Sequence, residues 1–162
     1  MNISGINLES IVDGEGVRTT IYISGCVHNC KGCHNPETHN FNYGEIFTED
    51  KLYKILNYIK ERPYIKGITF SGGDPICSSK DLIEYIKIIK NELPDIDIWV
   101  YTGYLYETLL DNPIIKLIDV LVDGKYDELQ KCINFPYRGS KNQRIIDIKE
   151  SLKENKTIER AI

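Results

Sequence analysis

Residues 66–101 read KGITFSGGDPICSSKDLIEYIKIIKNELPDIDIWVY, and the order of patterns within them decides the fold. KGITFS at 66–71 is a β-rich run that ends in a glycine pair. Residues 79–93 carry Leu82, Ile83, Ile86 and Ile89 at helical spacing, with Ser79 in the capping position and Pro94 just past the end. DIDIWVY at 95–101 is β-rich again. Strand, helix and strand in that order form a βα unit, in which the helix carries the chain back so that the two strands run parallel.

The same logic extends in both directions. TTIYIS at 19–24 and IDVLVD at 118–123 read as further strands. Between TTIYIS and KGITFS, Thr48 can cap a helix over 48–62 that turns Leu52, Ile55, Leu56 and Ile59 inward until Pro63 stops it. Shorter helices are expected at 104–111 and near 114–118, and RIIDIK at 144–149 reads as a last strand before a polar tail of helical tendency. The pattern predicts an α/β fold with a mainly parallel sheet. With no internal repeat or linker, it also predicts one domain over residues 1–162.

Apolar residues make up 41% and charged residues 27% of the chain, as in ordinary soluble globular proteins. A formal charge of −4 and the lack of a Lys/Arg run argue against nucleic acid as a partner. The N-terminus has neither the basic start nor the apolar block of a signal peptide, and no apolar run approaches membrane-spanning length. A cytoplasmic location without a membrane partner is therefore expected. The five cysteines are odd in number and three fall within eight residues, which favours metal chemistry over a disulfide framework.

The segments GCVHNCKGCHN, GGDP, TGY and DGK all follow strand C-termini, so they should gather at the end of a parallel sheet where ligands bind. Cys26, Cys30 and Cys33 offer three thiolates from one loop. A closed zinc site needs four ligands and a ferredoxin cluster four cysteines, whereas a cubane held by three leaves one iron open. Spacing alone leaves other readings standing: zinc with His28, His34 or His39 as fourth ligand, or free or redox-active thiols.

This triad after a β-strand resembles the signature of the radical S-adenosylmethionine family. The resemblance implies a partial, open (βα) barrel with a [4Fe-4S] cluster on Cys26, Cys30 and Cys33, which act catalytically through it. It also implies S-adenosylmethionine bound to the fourth iron and cleaved reductively to a 5′-deoxyadenosyl radical. Family members usually carry an aromatic residue before the last cysteine. Gly32 stands there in this chain, so the implied adenine contacts are backbone groups of Gly32, Cys33 and His34.

Gly72, Gly73 and Asp74 resemble the segment that holds the methionine amino group in that family, although Gly-Gly-Asp-Pro is also good turn chemistry. Lys125 is implied as the partner of the methionine carboxylate, the alternative being a solvated turn lysine. Thr102 and Asp123 are candidates for a shared cation site. Asp13-Gly14-Glu15-Gly16-Val17-Arg18 resembles the entry segment of activases of glycyl-radical proteins, and otherwise reads as a hairpin turn with a surface arginine. Cys77 and Cys132 match no metal spacing and read as bystanders.

The segments 25–39, 71–75, 99–104, 120–125 and 137–144 together resemble the subgroup that activates anaerobic ribonucleoside-triphosphate reductases. As partners they imply the glycyl-radical subunit of such a reductase and a low-potential electron donor such as flavodoxin or ferredoxin. Residues 137–140 are a candidate docking face, or equally a turn with a satisfied arginine. Two alternatives remain: activation of another glycyl-radical enzyme of the formate-lyase type, and a zinc-binding interaction module.

Overall fold

A computed structural model describes residues 1–162. Seven strands form one mixed sheet: β1 (Asn2–Ser10), β2 (Val17–Ile23), β3 (Glu45–Ile46), β4 (Ile65–Gly72), β5 (Asp97–Tyr101), β6 (Val120–Asp123) and β7 (Arg144–Asp147). Their order across the sheet is β3-β1-β2-β4-β5-β6-β7. The central strands β2, β4, β5 and β6 run parallel, as the βα reading requires. The edges differ from the expected mainly parallel sheet, because β1, β3 and β7 all pair antiparallel. β1 reaches β2 through a turn too short for a crossover helix, and that connection permits only an antiparallel neighbour.

The two long helices form where the apolar spacing places them. Helix α1 (Glu49–Lys60) starts at Thr48, whose hydroxyl accepts from the Lys51 N–H, a cap worth about 1 kcal/mol. It buries Leu52, Ile55, Leu56 and Ile59. Helix α2 (Ser79–Glu92) buries Leu82, Ile86 and Ile89, while Ile83 is only partly covered. Ser79 is the first helical residue rather than the cap, because a 3-10 turn over Pro75–Ser78 runs straight into the helix. Each fully buried aliphatic side chain contributes roughly 1.5–3 kcal/mol.

The segments 104–111 and 114–118 are short 3-10 turns, Tyr106–Thr108 and Pro113–Leu117, not α-helices. Asp123 takes the Tyr106 N–H, and Asn112 with Pro113 restarts the chain before a second α-turn can form. The strand expected over 144–149 ends at Asp147, whose carboxylate caps the short helix α3 (Ile148–Glu154).

Side chains alternate across the central strands and so define two faces. Ile21, Ile23, Ile68, Phe70, Ile98, Val100 and Leu121 join the inward residues of α1 and α2 in the main core. The opposite face holds a small cluster of Trp99, Val120, Val122 and Ile145, with Tyr101 and Tyr137 packed against it. Arg18, Thr20 and Thr69 are buried there as well.

Candidate functional site

The sheet's C-terminal ends carry a cavity of about 210 Å³. Cys26, Cys30 and Cys33 line one side, and Gly72, Gly73, Thr102, Gly103 and Gly124 the other. All three cysteines are unbridged and half-buried. The loop that bears them is pinned at its start, where the Gly25 N–H donates to the Thr38 carbonyl at 2.7 Å and Cys26 N–H to the His39 carbonyl at 3.3 Å. It then coils through left-handed backbone at Asn29 and Gly32, which closes the Cys33 N–H onto the Cys30 carbonyl. Gly73 is pressed against this loop: a Cβ there would lie 2.6 Å from the Gly25 carbonyl oxygen and 2.8 Å from that of Thr38.

The Cys26 thiol is pushed up to about 11, chiefly by burial and further by the Asp74 carboxylate and the neighbouring Cys77 and Cys30, against a lowering contribution from the His28 backbone. Burial, again with Asp74, raises Cys77 as well. At Cys26 a bare thiolate is therefore disfavoured, so a cationic metal group bound there would displace its proton. The three thiols provide soft donors from a single loop around one cavity, a donor set that suits iron–sulfur ligation.

Asp74 lies beneath the cavity wall rather than in it and is 1% exposed. Its Oδ2 accepts from Thr102 Oγ1 and the Gly103 N–H, both at 2.9 Å, and lies 2.6 Å from His28 Nε2. Its Oδ1 accepts from the Ile76 N–H. One carboxylate thus ties the cysteine loop to the loops after β4 and β5. The sequence places His28 near the cysteine loop, either as a neighbour of the cluster or as a zinc ligand; in the fold it locks the loop down onto Asp74, with its ring edge-on to Tyr104 at 4.6 Å. The ring fits because residue 103 is glycine: a Cβ there would stand 2.5 Å from His28 Cδ2.

The other expected residues are placed as follows. His34 and His39 line the cavity, with His34 tilted against Tyr126. Gly32 is exposed on the outer turn of the cysteine loop, beside Glu128. Lys125 does not reach this cavity. Gly124, at φ +97°, turns the chain outward, and Lys125 lines an adjoining depression with Lys31, Glu128 and Asn142. The suggested cation pair is not formed, because Thr102 is bound to Asp74 while the buried Asp123 accepts from Arg144 and the Tyr106 N–H. Arg144 also grips Glu107 through two nitrogens, and this contact, with Thr157, holds the Glu107 carboxyl down at about 2.

Arg18 is not a surface arginine. It is fully buried, donates to Thr69 Oγ1 and to the carbonyls of Glu15, Ile68 and Asp97, pairs with the Asp97 carboxylate, and lies 5.1 Å from the Trp99 ring centre. Next to it, Asp13 Oδ2 collects the hydroxyls of Ser10, Thr20 and Tyr22, and Thr69 Oγ1 donates to the Asp13 carbonyl.

A family model described as "4Fe-4S single cluster domain" matches residues 12–146. The anaerobic ribonucleoside-triphosphate reductase-activating protein of Escherichia coli K12 is 41% identical over 138 residues, covering 82% of this chain and 90% of that protein. This chain belongs to that activating-protein family. The proteins of the same name from Haemophilus influenzae and phage T4 are 39% and 34% identical, covering 83% and 90% of this chain and 90% and 93% of their own lengths. The matched iron–sulfur region contains the whole cysteine loop and every strand end that lines the cavity. No helix of this family member is long and apolar enough to cross a membrane.

Proposed function

We propose that this chain activates an anaerobic ribonucleoside-triphosphate reductase as a radical S-adenosylmethionine enzyme, installing a glycyl radical in that partner. The observation that carries the reading is the cavity, where three unbridged thiols of one loop face a glycine-rich strand end, in a chain whose relatives bear the activating-protein name. Cys26, Cys30 and Cys33 would hold a [4Fe-4S] cluster, which would supply the reductive cleavage of S-adenosylmethionine to a 5′-deoxyadenosyl radical able to take a hydrogen atom from a glycine. The electron comes from a low-potential donor such as flavodoxin or ferredoxin.

The chain's own residues bind and orient. Gly72 and Gly73 present side-chain-free backbone on the cavity wall, which lets the methionine end approach closely. Asp74 contributes a buried negative charge behind that wall, toward the methionine ammonium, while holding His28 and Thr102 in register. Backbone of Gly32, Cys33 and His34 is offered to the adenine. Lys125, exposed on a flexible stem, reaches the methionine carboxylate by rotating out of its own depression. In this reading the mixed sheet is the wall of a partial, open (βα) barrel, with the cavity at its mouth.

The relatives' names count against a formate-lyase-type target, and the matched iron–sulfur model against a zinc module. The test is anaerobic: reconstitute with iron and sulfide, add dithionite and S-adenosylmethionine with and without the reductase, then assay 5′-deoxyadenosine and record the EPR spectrum. Deoxyadenosine together with a reductase-dependent glycyl doublet is expected, and Cys30→Ala should abolish both. A fully loaded cluster that yields neither product refutes the reading.

A further inference from the structure

Five aromatic rings line the cysteine cavity: His28, His34, His39, Tyr101 and Tyr126. Three of them serve the fold. His28 Nε2 lies 2.6 Å from Asp74, the Tyr101 hydroxyl donates to the Tyr137 carbonyl at 2.7 Å, and His39 sits at the root of the cysteine loop, where its carbonyl takes the Cys26 N–H. His34 and Tyr126 instead meet each other in an open corner, with ring centres 5.5 Å apart and planes at 54°. His34 is exposed and Tyr126 half-buried, so both rings keep surface for a ligand.

Tyr126 is not a loose surface tyrosine. The backbone of the loop that carries it, residues 124–127, is gripped by the side chains of 140–143. Gln143 Nε2 donates to the Gly124 carbonyl at 3.0 Å, Asn142 Nδ2 donates to the Lys125 carbonyl at 2.7 Å, and the Asp127 N–H donates to the buried Ser140 Oγ at 3.1 Å. Gln143 Oε1 in turn accepts from the Gly139 and Ser140 N–H groups, at 2.8 and 3.1 Å, so the clamp is itself fixed. Gly139 leaves room for the ring, because a Cβ there would stand 3.1 Å from Tyr126 Cδ2. Three polar side chains give up rotamer freedom to hold four residues of loop, and such rigid support is what a precise binding surface needs.

The place of this corner along the sheet indicates what it holds. Gly72 and Gly73, the wall offered to the methionine end, follow β4, whereas Gly124 and Tyr126 follow β6. Two strand spacings separate them, about 10 Å, comparable to the reach of an extended S-adenosylmethionine from amino acid to purine. The cysteine loop supplies no other ring at that end: Gly32 has no side chain, and a Cβ there would meet Glu128 at 3.0 Å. A purine is flat and aromatic on both faces, and an aromatic side chain is the surface on which it packs best.

We propose that Tyr126, presented by the clamp of Ser140, Asn142 and Gln143, is the aromatic wall for the purine of S-adenosylmethionine, with His34 at its edge. This rests on the function proposed above. The test uses the full-length, cluster-loaded chain carrying Tyr126→Leu or Tyr126→Phe, and measures anaerobic equilibrium dialysis of two probes, S-adenosylmethionine and the purine-only ligand 5′-deoxyadenosine. Tyr126→Leu should raise the Kd of both probes by about 5-fold or more, and Tyr126→Phe, which keeps the ring, should stay within about twofold of wild type. Iron content and melting temperature should match wild type in both variants. A Tyr126→Leu chain that binds both probes as wild type does overturns the proposal. So does weaker S-adenosylmethionine binding with unchanged 5′-deoxyadenosine binding, which makes Tyr126 a support for the methionine end, and so does a Tyr126→Phe chain as weak as Tyr126→Leu, which assigns the hydroxyl instead. A cluster-loaded wild-type chain that binds neither probe overturns the functional reading and this inference together.

Discussion

Asp74→Asn tests whether one carboxylate organises the site. Four donors converge on Asp74: His28 Nε2 at 2.6 Å, Thr102 Oγ1 and the Gly103 N–H at 2.9 Å, and the Ile76 N–H at 2.9 Å. An amide has one oxygen to offer them. With that oxygen turned to the three-donor side, the NH2 group faces the Ile76 N–H, a lost bond between buried donors that costs about 1–3 kcal/mol. The three retained bonds fall from charged to neutral strength, a further loss of about 1 kcal/mol each. Cheaper burial of the neutral amide offsets part of this, leaving a net destabilisation of roughly 2–4 kcal/mol. For a chain of this length each kcal/mol shifts Tm by about 2–4 °C, so a fall of roughly 4–16 °C is expected in anaerobic calorimetry. Thr102→Val, which removes one donor, should cost only about 1 kcal/mol. An Asp74→Asn shift no larger than that of Thr102→Val would show that the four bonds do not act through a common centre.

Three further outcomes follow from neighbouring contacts. Gly103→Ala sets a Cβ 2.5 Å from His28 Cδ2, so the ring must leave Asp74; iron retained after desalting should fall while far-UV circular dichroism is unchanged, and full iron retention would refute the His28 lock. Arg144→Leu strands the buried Asp123 carboxylate, at a cost of about 3–5 kcal/mol in urea unfolding, and Asp123→Asn in the same chain should recover part of it. Glu107 falls from 4.5 to about 2 in the folded chain, so its contribution is present above about pH 4.5 and is lost as pH falls toward 2; Glu107→Gln should flatten the stability–pH slope in that window, by a small amount because the group is half exposed.

Most of the fold is legible because it rests on local periodicity. The inward residues of α1 and α2 recur at helical spacing, and the parallel strands are short apolar runs between them. β1 leaves no such trace. NISGINLES mixes Asn, Ser and Gly with isolated aliphatics, and the strand exists through pairing with β2, with two breaks in register. The run at 144–147 is readable as a strand, but its antiparallel direction depends on how the preceding loop returns, which no periodicity encodes. Spacing also exposes the cysteine loop. Nothing local announces that His28 will meet Asp74 at a separation of 46 residues, or that Thr102 will meet Asp74 rather than Asp123.

Arg18 shows how the hidden part could be read. Arginine is seldom fully buried unless it is paired, so a sequence reading sends it to the surface. Yet Arg18, Thr20 and Tyr22 alternate with Thr19, Ile21 and Ile23 in β2, and Thr69 and Ser71 alternate with Ile68 and Phe70 in β4. In an antiparallel edge such alternation means one face in water. β2 and β4 are central strands, paired on both sides, and strands of that kind usually carry apolar residues on both faces. Polar residues at every second position of a central parallel strand therefore point to a polar interior. Here that interior runs from Asp13 through Thr69 and Arg18 to Asp97, and the same alternation delivers Ser71 and Tyr101 to the cysteine cavity. The face that looks wrong for a core in the sequence is the face on which the site is built.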